Sequence, residues 1–213
     1  MLFALIKKDF LIVKKYVLLM FVVTIIIPPF MLWRVPEFAG AMGFVLSVIF
    51  SIFMLVQFVS QKENQYPKAA ALICATPYPR SLFVLSKYAF CICVFIATCI
   101  IFGVETLLLP GLRAFNYQMP IMMFFVIALF FGIYFPVQYK LGYEKTRFVF
   151  VLVIMASPFV FPQLLKMDNG LTFNLLNAVK PVILYGGIVI SGIVIFAISA
   201  LISIRVYDKV DIA

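Results

Sequence analysis

The sequence predicts an all-α integral membrane protein: an N-terminal amphipathic interfacial helix over residues 1–15, then six transmembrane helices, with both termini cytoplasmic and residues 1–213 forming one transmembrane domain. Three observations predict it. Hydrophobic residues make up 66% of the chain and charged residues 12%, where a soluble domain carries about a quarter charged, and the mean hydropathy is +1.18. The apolar residues gather into six runs, each near the ~20 residues that cross a bilayer as a helix. Lys and Arg fall unevenly on the two sides of those runs. The same numbers exclude a soluble enzyme and a nucleic-acid binder, because the net charge of +9 lies between apolar runs and not on a polar surface. The sequence contains no His, so imidazole acid–base chemistry and His-ligated metal are excluded with it. Cys91, Cys93 and Cys99 sit inside one apolar run and Cys74 in an inner loop, which reads as small buried hydrophobes and no disulfide framework.

The spans are expected near Tyr16–Trp33, Gly40–Val59, Leu82–Leu109, Met119–Tyr139, Phe148–Leu165 and Pro181–Ile204. Continuous apolar runs, without period-two alternation, favour helices over a barrel. With the N-terminus inside, the inner side carries Lys7, Lys8, Lys14, Lys15, Lys62, Lys68, Arg80, Lys87, Lys140, Lys145, Arg147, Arg205 and Lys209; the outer side carries Arg34, Arg113, Lys166 and Lys180. Thirteen against four accounts for all 17 basic residues and sets the orientation. The first apolar run follows a basic segment and leads into Pro28-Pro29 and Trp33-Arg34, so it reads as a retained anchor and not a cleaved signal peptide. The 25 Phe residues fit lipid-facing and helix-packing positions. Gly187 and Ser191 in the last span stand in the small-xxx-small register that lets helices approach closely, within the subunit or between two.

Among the polar segments, residues 1–15 place Lys7, Lys8, Lys14 and Lys15 on one helical arc and Ile6, Phe10 and Val13 on another, the pattern of a helix lying on an anionic lipid surface or serving as an elbow for the first span. Asp9 interrupts its apolar side. Residues 61–81 form an inner loop in which Pro67 starts a short helix, Ala69, Ala70 and Ala71 continue it, and Pro77 and Pro79 stop it, with Ser81 placed to cap the third span. A shorter connector would have turned the chain around, so this helix is read as presented to a partner. Residues 136–147 form a short charged inner loop in which Gly142 permits a tight turn and Glu144 can pair with Lys140 or Lys145. Outside, a turn at Asp168-Asn169-Gly170 precedes a short amphipathic segment over 171–179. Glu105, the one acid inside an apolar run, is expected to reach the outer headgroups.

A phosphate-binding GxxxxGK[ST] loop is absent, so the chain is not expected to bind ATP itself, and the Pro-interrupted spans carry no carboxylate of the kind that couples ions to transport. Two segments carry a resemblance. Ala75-Thr76-Pro77-Tyr78-Pro79-Arg80 leading to Leu85-Ser86-Lys87-Tyr88 resembles the passage from coupling helix into third span of the export-class permease subunits of ATP-binding-cassette transporters, although the second proline is not usual there. Lys140-x-Gly142-Tyr143-Glu144-Lys145-x-Arg147 resembles the second inner loop of the small bacterial subfamily that includes the phenol-soluble modulin exporter permeases.

The resemblance implies a non-catalytic permease domain in the bacterial plasma membrane that pairs with a second permease chain, as homodimer or heterodimer. Cytoplasmic ATPase subunits would bind ATP and Mg in its place, and the cargo would be amphipathic or hydrophobic peptide. The ATPase-coupling residues it implies are Glu63, Asn64, Tyr66, Lys68, Leu72, Thr76, Tyr78 and Arg80, with Tyr143, Glu144, Lys145 and Arg147 as a second contact. Lys7, Lys8, Lys14 and Lys15 would hold the interfacial helix to membrane lipid, and no nucleic acid is expected as a partner. Two alternatives stand beside this reading: the substrate-capture membrane subunit of an energy-coupling vitamin transporter, which fits the length and span number, and an immunity or assembly protein that only binds peptide.

Overall fold

A computed structural model describes residues 2–36, 39–66, 79–112, 118–149, 151–152, 155–156 and 181–208. The described chain is helical: α1 (Leu2–Ile12), α2 (Lys14–Arg34), α3 (Ala39–Gln65), α4 (Arg80–Leu108), a 3₁₀ turn (Pro110–Leu112), α5 (Gln118–Leu141) and α6 (Pro181–Asp208), with a further helical stretch over 143–149. Five helices are long and apolar enough to cross a membrane, α2 through α6. They coincide with five of the six expected spans. The remaining one, Phe148–Leu165, falls mostly outside the described residues, as do the short helix expected after Pro67 and the outer segment around Asp168.

The bundle is organised around α3, of whose membrane-crossing stretch 78% is buried, against 17–33% for the other four. It packs mainly on α2, α6 packs mainly on α5, and α4 lies between the two pairs and touches both. Phe rings fill much of the interior. Phe44 meets Phe102 at 5.2 Å between centroids, and Phe53 meets Phe131 at 5.1 Å, edge-on in both cases. The outward apolar faces of α2, α4 and α6 remain exposed, as lipid requires.

Two prolines that would break a helix in water are accommodated here by serines on neighbouring helices. Pro28 lacks the N–H that would bond the Thr24 carbonyl one turn earlier, and the Ser47 hydroxyl of α3 donates to that carbonyl at 3.4 Å. Gly43 permits the approach, since a Cβ there would lie 3.3 Å from the Pro28 Cα. Pro136 likewise strips the Gly132 carbonyl of its helical donor, and Ser199 of α6 donates to it at 2.7 Å. Because the Ser199 proton is committed to Gly132, the Tyr88 hydroxyl must donate to Ser199 at 2.6 Å, and Ser203 must donate to Tyr88 at 2.9 Å. One relay thus joins α4, α5 and α6, and in a bilayer no water competes for it.

Several expectations change in detail. Lys14 and Lys15 belong to α2, because the chain bends at Val13. Ser81 does not cap α4; Pro79 precedes the helix and no side chain caps it. Cys91 is buried, but Cys93 faces outward and Cys99 is half-buried. The close approach in the last span is made at Gly192, where a Cβ would lie 2.9 Å from the Phe124 ring, whereas Gly186 and Gly187 face open space. Glu105 is enclosed at the end of α4, 7% exposed, with neither carboxylate oxygen hydrogen-bonded.

Candidate coupling site at the charged end of the bundle

The hydrophobic run of α3 ends near Val59, yet the helix continues through Ser60-Gln61-Lys62-Glu63-Asn64-Gln65. Gln, Lys and Glu are good helix formers, so the polar turns extend the span instead of opening the loop. Beside them, α5 ends at Leu141, and Gly142 takes a left-handed φ of +83° while its N–H closes on the Gln138 carbonyl at 2.9 Å. The chain re-enters a helix at Tyr143, braced by the Thr146 hydroxyl against the Gly142 carbonyl at 2.9 Å. The Gln57 amide of α3 donates to the Tyr143 hydroxyl at 3.0 Å, which fixes the second segment against the first. Burial pushes the Tyr143 phenol above its usual pKa and Arg147 offsets part of this, so the hydroxyl is neutral at physiological pH.

Between these segments lies an open cleft of about 400 Å³ lined by Gln61, Asn64, Gln65, Tyr143, Glu144, Arg147 and Phe148. Its walls offer carboxamides, a carboxylate, a guanidinium, a phenol and one aromatic face. The lining is predominantly polar, unlike the mostly apolar lining typical of a small-ligand pocket.

On the other side of α3 the polar end is closed by four charges. Lys87 of α4 reaches Glu63 at 2.6 Å and Asp9 at 3.1 Å, and Lys8 reaches the same two carboxylates at 3.2 Å each. Asp9 is fully buried, and Glu63 is 34% exposed. The charges balance, and each acid meets two ammonium groups, the condition under which a buried ion cluster is tolerated. Phe10 packs on Phe90 at 4.7 Å, and Lys8 lies over the Phe83 ring at 5.3 Å. Helix α1 is therefore seated chiefly against α4, more closely than against α2 or α3.

Of the residues expected at a coupling site, Asn64, Tyr143, Glu144 and Arg147 come together in the cleft. Glu63 turns away into the ion cluster. Tyr66, Arg80 and Lys145 are exposed, the first two flanking residues 67–78. Lys68, Leu72, Thr76 and Tyr78 lie outside the described residues. Of the interfacial lysines, Lys7, Lys14 and Lys15 are exposed, and Lys8 joins the ion cluster. Sequence reasoning missed Asp9, Lys87, Gln57 and Phe148 as site residues. A signal existed for two of them: Asp9 stands on the apolar side of an amphipathic helix and Lys87 inside an apolar one, and an acid and a base each misplaced alone are tolerable together. Among the described residues no cluster of His, Cys, Asp or Glu could hold a metal ion.

Residues 4–208 match the family model described as ABC-2 family transporter protein. No curated protein and no solved structure matches the chain. The match covers nearly the whole chain, including all five apolar helices, and the chain belongs to the ABC-2 transporter family as a multi-pass membrane component.

Proposed function

We propose that this chain is the permease subunit of an ATP-driven exporter, working with separate cytoplasmic ATPase subunits and with a second permease chain, the same or related, in the bacterial plasma membrane. The ATPase subunits bind ATP and Mg; this chain supplies the path and the mechanical input. Its cargo is amphipathic or hydrophobic peptide. The observation that carries the reading is the cleft, which unites Asn64 at the end of α3 with Tyr143, Glu144 and Arg147 beyond α5, two segments about 80 residues apart in sequence.

A surface element of the ATPase seated there pushes on the polar end of α3. Because α3 is the most buried helix and α4 is fastened beside it through Lys87 and Glu63, that push moves helices as rigid bodies. Membership in the ABC-2 family favours export over the vitamin-capture alternative.

The test is a detergent pull-down of the tagged protein from its native host, with mass spectrometry and an ATPase assay on the eluate. The reading expects a stoichiometric cytoplasmic ATPase that is lost when residues 63–80 are replaced by a flexible linker. A lone subunit carrying a tightly bound small molecule contradicts it.

A further inference from the structure

The ion cluster joins three parts of the chain that have no covalent reason to move together. Glu63 lies two residues before the end of α3, and Lys87 lies two turns into α4, so the two residues bracket residues 64–86. Asp9 belongs to α1, 78 residues from Lys87. A single ammonium, Lys87 Nζ, bridges the Glu63 carboxylate at 2.6 Å and the Asp9 carboxylate at 3.1 Å. The second ammonium, Lys8, shares both acids but is twice as exposed, at 23% against 11%. Asp9 has a further buried oxygen, Oδ2, with no hydrogen-bond partner, so it depends on the two lysines alone. Directly behind Lys87, Tyr88 enters the hydroxyl relay to Ser199 and Ser203, which connects the same turn of α4 to α6.

We propose that Lys87 is a positioning residue that fastens helix α1 to the polar end of α3 and the start of α4, so that α1 belongs to the unit displaced when the ATPase pushes on the polar end of α3. The inference rests on the proposed function for the source of the push. It assigns α1 a role beyond resting on lipid: the helix is carried by α3 and α4 through a charge contact that keeps all three in register. The physical ground is the asymmetry of buried pairs. With both partners present the cluster holds one geometry, and with Lys87 gone the buried Asp9 carboxylate loses its best-enclosed counter-charge, which favours separation of α1 from α4.

The experiment uses the full chain, purified with its ATPase and reconstituted in nanodiscs, with Cys74, Cys91, Cys93 and Cys99 replaced by Ala. A Lys7→Cys substitution on the exposed side of α1 carries an environment-sensitive fluorophore. Fluorescence is read without nucleotide and with ATP, Mg and vanadate. The expected result is a nucleotide-dependent change at position 7 when Lys87 is present, retained in Lys87→Arg, which keeps the bridging charge, and lost in Lys87→Met. Asp9→Asn, of the same shape as the native residue, is made in parallel and is expected to lose the change as well. ATPase recovered with each variant shows that it has folded. A change that survives in Lys87→Met or Asp9→Asn overturns the proposal, and so does the lack of any change with Lys87 intact. Failure of the ATPase to purify with the chain carrying an intact Lys87 contradicts the proposed function itself, and the role of Lys87 falls with it.

Discussion

Replacing Ser199 by Ala removes one hydroxyl from the middle of the bundle, and its consequences follow from Pro136. The Gly132 carbonyl has no helical donor, because position 136 is proline, and receives its hydrogen bond from Ser199 at 2.7 Å. Ser199→Ala leaves that carbonyl unpaired where no water reaches, a loss of about 1–3 kcal/mol. The Tyr88 hydroxyl also loses its 2.6 Å acceptor, and hydrogen bonds between membrane helices contribute about 0.6 kcal/mol on average. Together they give a destabilisation of about 2 kcal/mol, or a midpoint lowered by about 4–8 °C for a chain of this size. Thermal unfolding in detergent, followed by circular dichroism, measures it.

The decisive comparison adds Pro136→Ala. On the Ser199→Ala background it returns an N–H to the Gly132 carbonyl and is expected to recover at least about 1 kcal/mol. With Ser199 present the carbonyl is already satisfied, and the same substitution should gain much less. Equal effects of Pro136→Ala on the two backgrounds would refute the reasoning, because independent sites add and sites sharing one carbonyl do not.

Three further outcomes are expected. Lys87→Met should destabilise the folded chain by about 3 kcal/mol, the low end for breaking a buried ion pair, since the 34% exposed Glu63 carboxylate can rehydrate while Asp9 cannot; the unfolding midpoint reads this. Gly192→Ala places a Cβ 2.9 Å from the Phe124 ring and should cost about 1–3 kcal/mol through overpacking, whereas Gly186→Ala meets open space and should leave the midpoint unchanged or raise it. Arg147→Glu reverses one wall of the cleft on an exposed side chain, so it should lower ATPase recovery in a pull-down while leaving the folding stability within about 0.5 kcal/mol of the unsubstituted chain.

The spans were legible because bilayer thickness sets a length and hydropathy reports it: five expected spans coincide with α2 through α6. Their polar ends were not. The expected end of the second span at Val59 follows the apolar run, but backbone hydrogen bonding does not stop where hydropathy does, and α3 continues to Gln65. This shift puts Glu63 and Asn64 on successive positions of one helix, pointing to opposite tasks: Glu63 into the ion cluster, Asn64 into the cleft. The two inner segments were identified from their residues, and their meeting through Gln57 and Tyr143 was not, because a contact between residues 86 apart leaves no periodic trace. Asp9 looked like a flaw in an amphipathic pattern and proves to be a fully buried partner of Lys87. The prolines read as interruptions of their spans, yet α2 runs through Pro28-Pro29 and α5 through Pro136, and serines on neighbouring helices supply donors to the carbonyls that Pro28 and Pro136 strip, which the local sequence does not contain.

The claim on which the rest depends is that the cleft seats an ATPase subunit. A photo-crosslinking amino acid in place of Glu144, which lines the cleft from an exposed position, tests it in membranes of the native host. The account predicts a covalent adduct to a cytoplasmic ATPase, diminished when Arg147 is replaced by Glu. Adducts to lipid alone, in membranes where the ATPase is present, would contradict it.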